Sequence, residues 1–448
     1  MDKGLLKRTA FQSVALMIAV VTLSFALHQY NIVVISASDV HSIDSNSVNI
    51  EQSEESQTDS SSLEEESALQ EDLPVEAYVP SEGLQGDVGG NINSVTGEVL
   101  SGFPGMLQEI DMNIAHQLGE RFLVIKKLPG ENVQITLEDL YMTKSIRVIL
   151  SGLEDDGMDY STVGRVNNMD YFIGEPQYIE IVNFETDPDD GAVTEVVSKD
   201  FGKDVVHSIT INNMPNVGTG LYDTELMIEF DNVYAHILAE DEGYYYIGLK
   251  HPHEVYDKVL VIDAGHGGKD PGALSADDSV YEKNINIKLL LYVKELLDNE
   301  DIKVYYTRLG DDKVFLRPRV ELANAVDCDF FISIHCNGND VRNPRGTEIL
   351  YYGTEFKNVN AQKLATIFSK QVEDTTTLPN SGLMRQNKED IYILNHATVP
   401  AIIVEAGYMT HSSDLEYLIQ EENQKAVALG IYKGIMKAYE EFNIIDRY

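Results

Sequence analysis

The chain has 448 residues and a formal net charge of −41 at pH 7. This length exceeds that of one ordinary domain and indicates two or three domains. Proteins that bind nucleic acid carry basic patches, so the acidic balance argues against a nucleic-acid partner. Much of the negative charge is local, because no Lys or Arg stands between Arg8 and Arg121.

Residues 1–38 are typical of an export segment. A basic flank that ends at Arg8 precedes the apolar stretch AFQSVALMIAVVTLSFAL. A cleaved signal has an apolar core of about 7–15 residues, whereas a membrane-spanning helix needs about 20. The stretch lies between these limits, so a signal peptide cleaved near Ala37 and a retained signal anchor both stay open, with the anchor slightly favoured. The basic flank keeps the N-terminus inside, so an extracytoplasmic protein is predicted, membrane-anchored or else secreted to the cell wall.

Residues 39–90 are predicted to be a disordered acidic linker. They consist largely of Ser, Glu, Asp and Gln, as in EQSEESQTDSSSLEEESALQED. Low hydrophobicity with unbalanced charge cannot bury enough apolar surface to order a chain. If the N-terminal helix stays in the membrane, this linker is expected to hold the following domains away from it.

Residues 91–255 are predicted to contain an all-β, sandwich-like accessory domain. Short alternating runs such as VQITLEDLY and TELMIEFDN are separated by Gly, Asp, Asn and Pro. A short helix is indicated before them, in GMLQEIDMNIAHQL. His251 and His253 have no third ligand nearby and are interpreted as loop residues. The domain shows no catalytic constellation, and a cell-wall or division partner is its predicted ligand.

Residues 256–448 are predicted to form an α/β domain with a largely parallel sheet covered by helices. Strands with near-continuous apolar content, such as KVLVIDAG, CDFFISIHCN and PAIIVEAGY, alternate with helical patterns. The first helix is expected from about Glu282 to Asn299, because apolar residues recur there every three or four positions. Cys328 and Cys336 flank one strand, and a separation of about 25 Å argues against a disulfide.

Polar residues at the strand ends of this domain are candidates for chemistry. His266, His335 and Glu405 each follow an apolar run, and ligand sites of open α/β sheets form at the carboxyl ends of strands. Glu282 opens the first helix, where the helix dipole suits a carboxylate. Two histidines and a glutamate with an open fourth position match a catalytic zinc site. Zn²⁺ activates water near neutral pH, and Glu405 would remain as the general base.

The motifs VIDAGHGGKDPGA, YEKNINI, RVELANA, FFISIHCN, RGTEILYY and PAIIVEAGYMTH follow one another within residues 258–443. Their order and spacing resemble those of the zinc-dependent N-acetylmuramoyl-L-alanine amidases, the family often called Amidase_3. The resemblance implies hydrolysis of the amide that joins N-acetylmuramic acid to L-alanine in peptidoglycan. It also implies that Zn²⁺ is bound by His266, Glu282 and His335, with Glu405 as the catalytic residue.

The sequence departs from the family pattern at some positions, and two alternative functions stay open. Ala264 stands where the family usually has Pro, and Asn395 where many relatives carry Arg. The stretch from Tyr352 to Arg385 is too short for the inserted helix that blocks the site of some relatives. A zinc peptidase acting within the stem peptide is one alternative. A non-catalytic wall-binding protein with a structural metal is the other.

Overall fold

The computed structural model describes residues 33–35, 110–155, 162–167, 170–186, 193–339, 344–353, 355–356, 359–387 and 391–444. The predicted acidic linker lies outside the described residues, as does the predicted export segment apart from Val33–Ile35. None of the helices in the described ranges combines the length and apolarity that a bilayer crossing requires.

Among the described residues, twelve strands precede residue 256. One sheet has the strand order β1-β11-β12-β2-β5-β6, a second has the order β3-β4-β10-β9, and β7 and β8 form a separate hairpin. A short helix, α1 (Met112–Leu118), lies where the sequence predicts one. The strands are β1 (Val33–Ile35), β2 (Arg121–Lys126), β3 (Gly130–Leu140), β4 (Ser145–Leu153), β5 (Val163–Asn167), β6 (Asp170–Ile173), β7 (Ile179–Thr186), β8 (Val193–Asp200), β9 (Val206–Asn216), β10 (Leu221–Phe230), β11 (Ala235–Glu240) and β12 (Tyr244–Lys250).

The first two sheets pack face to face. Because side chains alternate along a strand, Ile146, Val148 and Leu150 of β4 lie on one face and are buried. They belong to the same apolar cluster as Leu123 and Ile125 of β2, which is in the other sheet. The core of this β-rich region therefore lies between the sheets.

The second half of the described chain forms a six-stranded sheet of order β14-β13-β15-β20-β16-β19. Four of its five neighbouring pairs are parallel, whereas β16 runs antiparallel to β20. The sheet is therefore mixed, which refines the predicted largely parallel arrangement. Its main strands are β13 (Val259–Ala264), β14 (Lys303–Tyr306), β15 (Phe330–Asn337), β16 (Thr347–Tyr352), β19 (Asn380–Gln386) and β20 (Ala401–Tyr408), and a small hairpin, β17 (Glu355–Phe356) with β18 (Val359–Asn360), follows β16.

Helices cover both faces of this sheet. The first helix begins at Glu282 as predicted and buries Ile285, Leu289 and Val293 against the sheet. Cys328 and Cys336 are buried free thiols, as predicted. The helices are α2 (Glu282–Leu297), α4 (Ala361–Thr375) and α7 (Glu421–Phe442) on one face, α3 (Leu316–Ala325) and α5 (Tyr392–His396) on the other, and α6 (Ser412–Leu418) beyond β20.

The β-rich region packs directly on the edge of the mixed sheet. The hydroxyl group of Tyr141 accepts a hydrogen bond from the backbone N–H of Tyr306 (3.1 Å) and donates one to its carbonyl oxygen (2.9 Å). The ring of Tyr141 also meets that of Tyr305 edge-on, with centroids 5.0 Å apart. A phenol from one region thereby satisfies the free backbone groups of the edge strand β14.

Candidate active site

The ends of three strands and the start of one helix meet at one rim of the mixed sheet. His335 of β15 pairs in register with Glu405 of β20. β13 ends at Ala264, two residues before His266, and Glu282 is the first residue of α2. The structure brings the predicted trio His266, Glu282 and His335 together, with their potential ligand atoms all within 4.8 Å of one another.

Glu282 is the centre of this cluster. Its Oε2 lies 3.1 Å from Nε2 of His266, and its Oε1 lies 2.9 Å from Nδ1 of His335. The backbone N–H groups of Ala273 and Cys336 donate to the same carboxylate at 2.7 and 3.0 Å. Burial opposes ionisation, but the hydrogen bonds and charges of the two imidazoles outweigh it and hold the pKa of Glu282 well below its usual value. Glu282 is therefore a buried anion between two histidines.

The donor set and its spacing fit Zn²⁺. Ligand atoms bound tetrahedrally at about 2.0–2.2 Å lie roughly 3.3 Å from one another, close to the separations between Glu282 and the two imidazoles. An imidazole that binds a metal commonly gives its other N–H to a carboxylate. Nδ1 of His266 lies 3.0 Å from Oδ2 of Asp270, which supplies that partner. The sequence interpretation did not identify Asp270, although its spacing of four residues from His266 offered a signal.

Glu405 faces a different environment from Glu282. It is buried, and its Oε2 has no hydrogen-bond partner among the residues that the structure describes. Burial, the largest influence, raises the pKa of Glu405 to about 7. A buried polar atom without a partner is costly, which favours a role in chemistry over one in packing.

A second carboxylate, not identified from the sequence, lies beside Glu405. Glu348 of β16 pairs across the strands with Glu405 and is 7% exposed. It accepts hydrogen bonds from the hydroxyl of Tyr408 (3.3 Å) and the side-chain amide of Asn337 (3.4 Å). A glutamate within the otherwise apolar run EILYY was the available signal. The rim thus presents two acidic side chains next to the His–Glu–His cluster.

The glycines of the loop after β13 make close approaches possible. The loop contains Gly265, Gly267 and Gly268. Gly267 and Gly268 have positive φ angles, of 131° and 58°. At Gly265 the reason is space, since a Cβ atom there would lie 2.1 Å from Cε1 of His335. His266 itself has φ of 62°, which is unusual for a residue with a side chain.

A buried ion pair beneath the rim holds this loop. Arg319 of α3 pairs with Asp263, and both are almost fully buried. The guanidinium of Arg319 also donates to the carbonyl oxygens of Ala264 and His266, each at 2.7 Å. Arg308 donates to the carbonyl of Gly265 at 2.9 Å. The backbone of His266 is therefore fixed from below by two arginines.

The other sequence candidates lie outside this cluster. His251 and His253 belong to a loop with a 3-10 turn, Pro252–Glu254, and Nε2 of His253 lies 3.1 Å from the carbonyl oxygen of Asp327. Within the described ranges, neither belongs to a group of side chains that could hold a metal.

Comparison with known proteins identifies the family. The profile of the N-acetylmuramoyl-L-alanine amidase family (Amidase_3) matches residues 260–437. The uncharacterized protein YqiI of Bacillus subtilis is 32% identical over 184 residues, which span 41% of this chain and 86% of YqiI. The germination-specific N-acetylmuramoyl-L-alanine amidase of the same organism is 28% identical over 198 residues, spanning 41% of this chain and 81% of the relative.

Among solved structures, the catalytic domain of the amidase CwlV from Bacillus (Paenibacillus) polymyxa is 32% identical. The match covers 41% of this chain and 98% of that domain, with a TM-score of 0.38. On the sequence relatives and the family profile, the chain belongs to the N-acetylmuramoyl-L-alanine amidase family. Its function is hydrolysis of the amide bond between N-acetylmuramic acid and L-alanine in peptidoglycan.

Proposed function

We propose that this hydrolysis depends on Zn²⁺ bound by His266, Glu282 and His335, with Glu405 as the general base. The observation that supports it most is the anionic Glu282 carboxylate within 3.1 Å of both imidazoles. Asp270 fixes the ring of His266, and Arg319 fixes its backbone. Asp270 and Arg319 would thus support His266 in the position of a metal ligand.

The bound Zn²⁺ would act as a Lewis acid that polarises the scissile carbonyl group and eases deprotonation of the attacking water. The chain's own part is to move the proton. Glu405 takes it from the water on its unpaired oxygen and delivers it to the nitrogen of the departing L-alanine. A pKa of about 7 suits both steps, because the carboxylate can accept and release a proton near neutral pH.

We also propose how the chain is divided into domains and where it is located. Residues 256–448 form the catalytic domain, and the sandwich within residues 91–255 is an accessory domain docked on β14. The export segment 1–38 anchors the protein at the outer face of the membrane, where peptidoglycan is its substrate. Basic residues before the apolar stretch and the cell-wall substrate of the family support this location.

Digestion of purified peptidoglycan, with the products identified by mass, tests the bond and the metal together. We expect glycan strands freed of peptide and intact stem peptides with a free L-alanine amine. A chelator should abolish release, and added Zn²⁺ should restore it. Shortened stem peptides would instead favour a zinc peptidase, and undiminished release after complete metal removal would contradict the zinc proposal.

A further inference from the structure

The hairpin of β7 and β8 exposes apolar side chains on both of its faces. Ile179 and Ile181 lie on one face and are 70% and 41% exposed. Phe184 and Val197 lie on the other face and are 69% and 51% exposed. No residue of this hairpin belongs to the four apolar clusters of the described residues. Two strands alone are marginally stable at best, and apolar side chains exposed together mark an interaction surface.

The backbone of the hairpin has two free edges. Among the described residues, β7 and β8 pair with each other and with no further strand. The outer edge of each strand therefore presents backbone N–H and C=O groups to which another strand can add. A third strand would also give the hairpin the stability that a two-stranded ribbon lacks. The charges along each edge determine which strand can be added there.

The edge of β8 is complementary to the same edge of a second copy. In an antiparallel pair of identical strands related by a two-fold axis, one residue faces its own counterpart, and residues equally far on either side face each other. Centring the pair on Val197 puts Glu195 opposite Lys199 of the second copy, and Lys199 opposite Glu195. Residues two positions apart share a face, so all these side chains lie together. No other centre within β8 puts opposite charges face to face.

The other edge and a lipid surface are poorer matches. β7 contains two Glu and no basic residue, so a symmetric pair of β7 strands could form no ion pair. Opposite charges directly across a strand pair stabilise a sheet, and like charges destabilise it. Pairing through β8 would place Lys199 between Glu180, which it faces within the hairpin, and Glu195 of the second copy. The two strands together carry four acidic residues and one basic residue, which opposes contact with an anionic membrane.

We propose that this hairpin is a dimerisation element, in which β8 pairs antiparallel with β8 of a second copy, centred on Val197. The result is a continuous sheet of order β7-β8-β8-β7. Pairing satisfies the free backbone groups of both β8 edges, brings the two Val197 side chains together and forms two equivalent Glu195–Lys199 ion pairs. The interface contains no residue of the His–Glu–His cluster, so it is independent of the zinc assignment.

Cross-linking of the full chain in detergent with a short bifunctional maleimide tests the register. Val197→Cys introduces an exposed thiol where the two copies meet, whereas the native Cys328 and Cys336 are buried. Val193→Cys is the matched control, because its counterpart would lie about 27 Å away at roughly 3.4 Å per residue. We expect at least tenfold more covalent dimer from Val197→Cys. Equal yields from the two variants, or no dimer from either, would overturn the proposal.

Charge exchange in the Val197→Cys background tests the ion pairs. Glu195→Lys and Lys199→Glu each place like charges opposite each other and should lower the dimer yield at least fivefold. The double variant restores opposite charges and should recover the yield, which separates loss of pairing from damage to the hairpin. Glu242→Lys, at an exposed position of the β-rich region, is the control and should have no effect.

Two further results would count against the proposal. Single reversals without effect, or a double variant as weak as the single ones, would exclude the proposed pairing. A bimane label on Val197→Cys whose emission shifts to the blue with phosphatidylglycerol vesicles, in the absence of cross-linking, would identify a lipid surface as the partner instead.

Discussion

Two buried glutamates near the same rim of the sheet have opposite electrostatic surroundings. The hydrogen bonds of two imidazoles outweigh burial at Glu282 and lower its pKa, whereas burial dominates at Glu405 and raises its pKa to about 7. When their environments push the pKa values of two titratable groups apart, one group can stay ionised while the other carries a proton. Glu282 is thus suited to binding a cation, and Glu405 to transferring a proton.

Replacing Glu405 with Gln should abolish proton transfer and leave the metal ligands in place. General acid–base catalysis typically contributes about 10²–10⁴-fold, so the turnover number should fall by at least that range. The measurement is release of stem peptide, with zinc content determined on the same sample. Glu422→Gln, an exposed position at the start of α7, is the control. Near wild-type turnover in Glu405→Gln would end its assignment as the base.

Gly265→Ala should disturb the His–Glu–His cluster by a steric clash alone. The added methyl group would lie 2.1 Å from the His335 ring, so the imidazole must move. We expect weaker zinc binding, measured by competition with a chromogenic chelator, and a matching loss of activity. Gly243→Ala in the β-rich region is the control, because the nearest atom to its added methyl group is 3.8 Å away. It should change neither the zinc affinity nor the activity. Wild-type zinc affinity in Gly265→Ala would show that the ring has more freedom than the close contact implies.

Beneath the cluster, the elements are joined by buried polar groups as well as by apolar packing. Asp263 in β13 accepts from Arg319 of α3, from Thr307 and from Ser333 of β15. The carboxylate, which is fully buried, thus connects two neighbouring strands, the segment after β14 and a helix. Such a network fixes geometry when every member is paired, and it becomes costly when one partner is removed.

Arg319→Met should therefore be strongly destabilising. It leaves the Asp263 carboxylate buried without its cation, for which a loss of about 3–5 kcal/mol in the free energy of unfolding is typical. Arg317→Met is a matched control on the same helix, because Arg317 is largely exposed and pairs with Glu321 in solvent. Chemical denaturation of both variants gives the comparison. Equal stabilities would mean that the buried pair contributes little to the fold.

Tyr141→Phe should loosen the contact between the β-rich region and β14. The variant keeps the ring but removes the hydroxyl that bonds both backbone groups of Tyr306, at roughly 0.5–1.5 kcal/mol for each hydrogen bond. We expect faster hydrogen exchange at the amide of Tyr306, while the amides of β20 remain protected. Tyr178→Phe, on the exposed surface of the β-rich region, is the control. Unchanged exchange at Tyr306 would show that another group protects this edge.

The residues at the strand ends and the start of the first helix could be predicted from the sequence, but most of the buried contacts that hold them could not. His266, His335 and Glu405 stand out because each ends an apolar run, and that signal is local. The burial of Arg319 is not local, since RPRVELANA also suits an exposed helix and its partner Asp263 is 56 residues away. The docking of Tyr141 on Tyr306 spans 165 residues. Side-chain partners at such distances depend on the assembled fold.

At the scale of the whole chain, a segment that precedes the predicted linker is part of the β-rich region. Val33–Ile35 pairs in parallel with β11, and after the linker α1 packs on the neighbouring β12. The part of the chain that contains the predicted linker thus begins and ends at the same sheet. An anchor that ends before Val33 would hold this region close to the membrane, which differs from the expected separation by an extended linker.

Retention of the N-terminal segment should therefore be detectable in the mature protein. Cleavage near Ala37 would remove β1 from its sheet, so we expect the intact N-terminus in the membrane fraction. Mass analysis of the N-terminal peptide, with immunoblotting of membrane and wall fractions, provides the measurement. Deletion of residues 1–30 should abolish membrane association. A mature N-terminus beyond residue 37 would identify the segment as a cleaved signal.

The zinc content of purified variants tests the central claim most directly. Elemental analysis after dialysis should find one zinc ion per chain in the wild type and in Glu405→Gln, and almost none in His335→Ala or Glu282→Ala. Folding of all four should be verified by circular dichroism. A folded wild type that binds no zinc, or full zinc in folded His335→Ala and Glu282→Ala, would contradict the account.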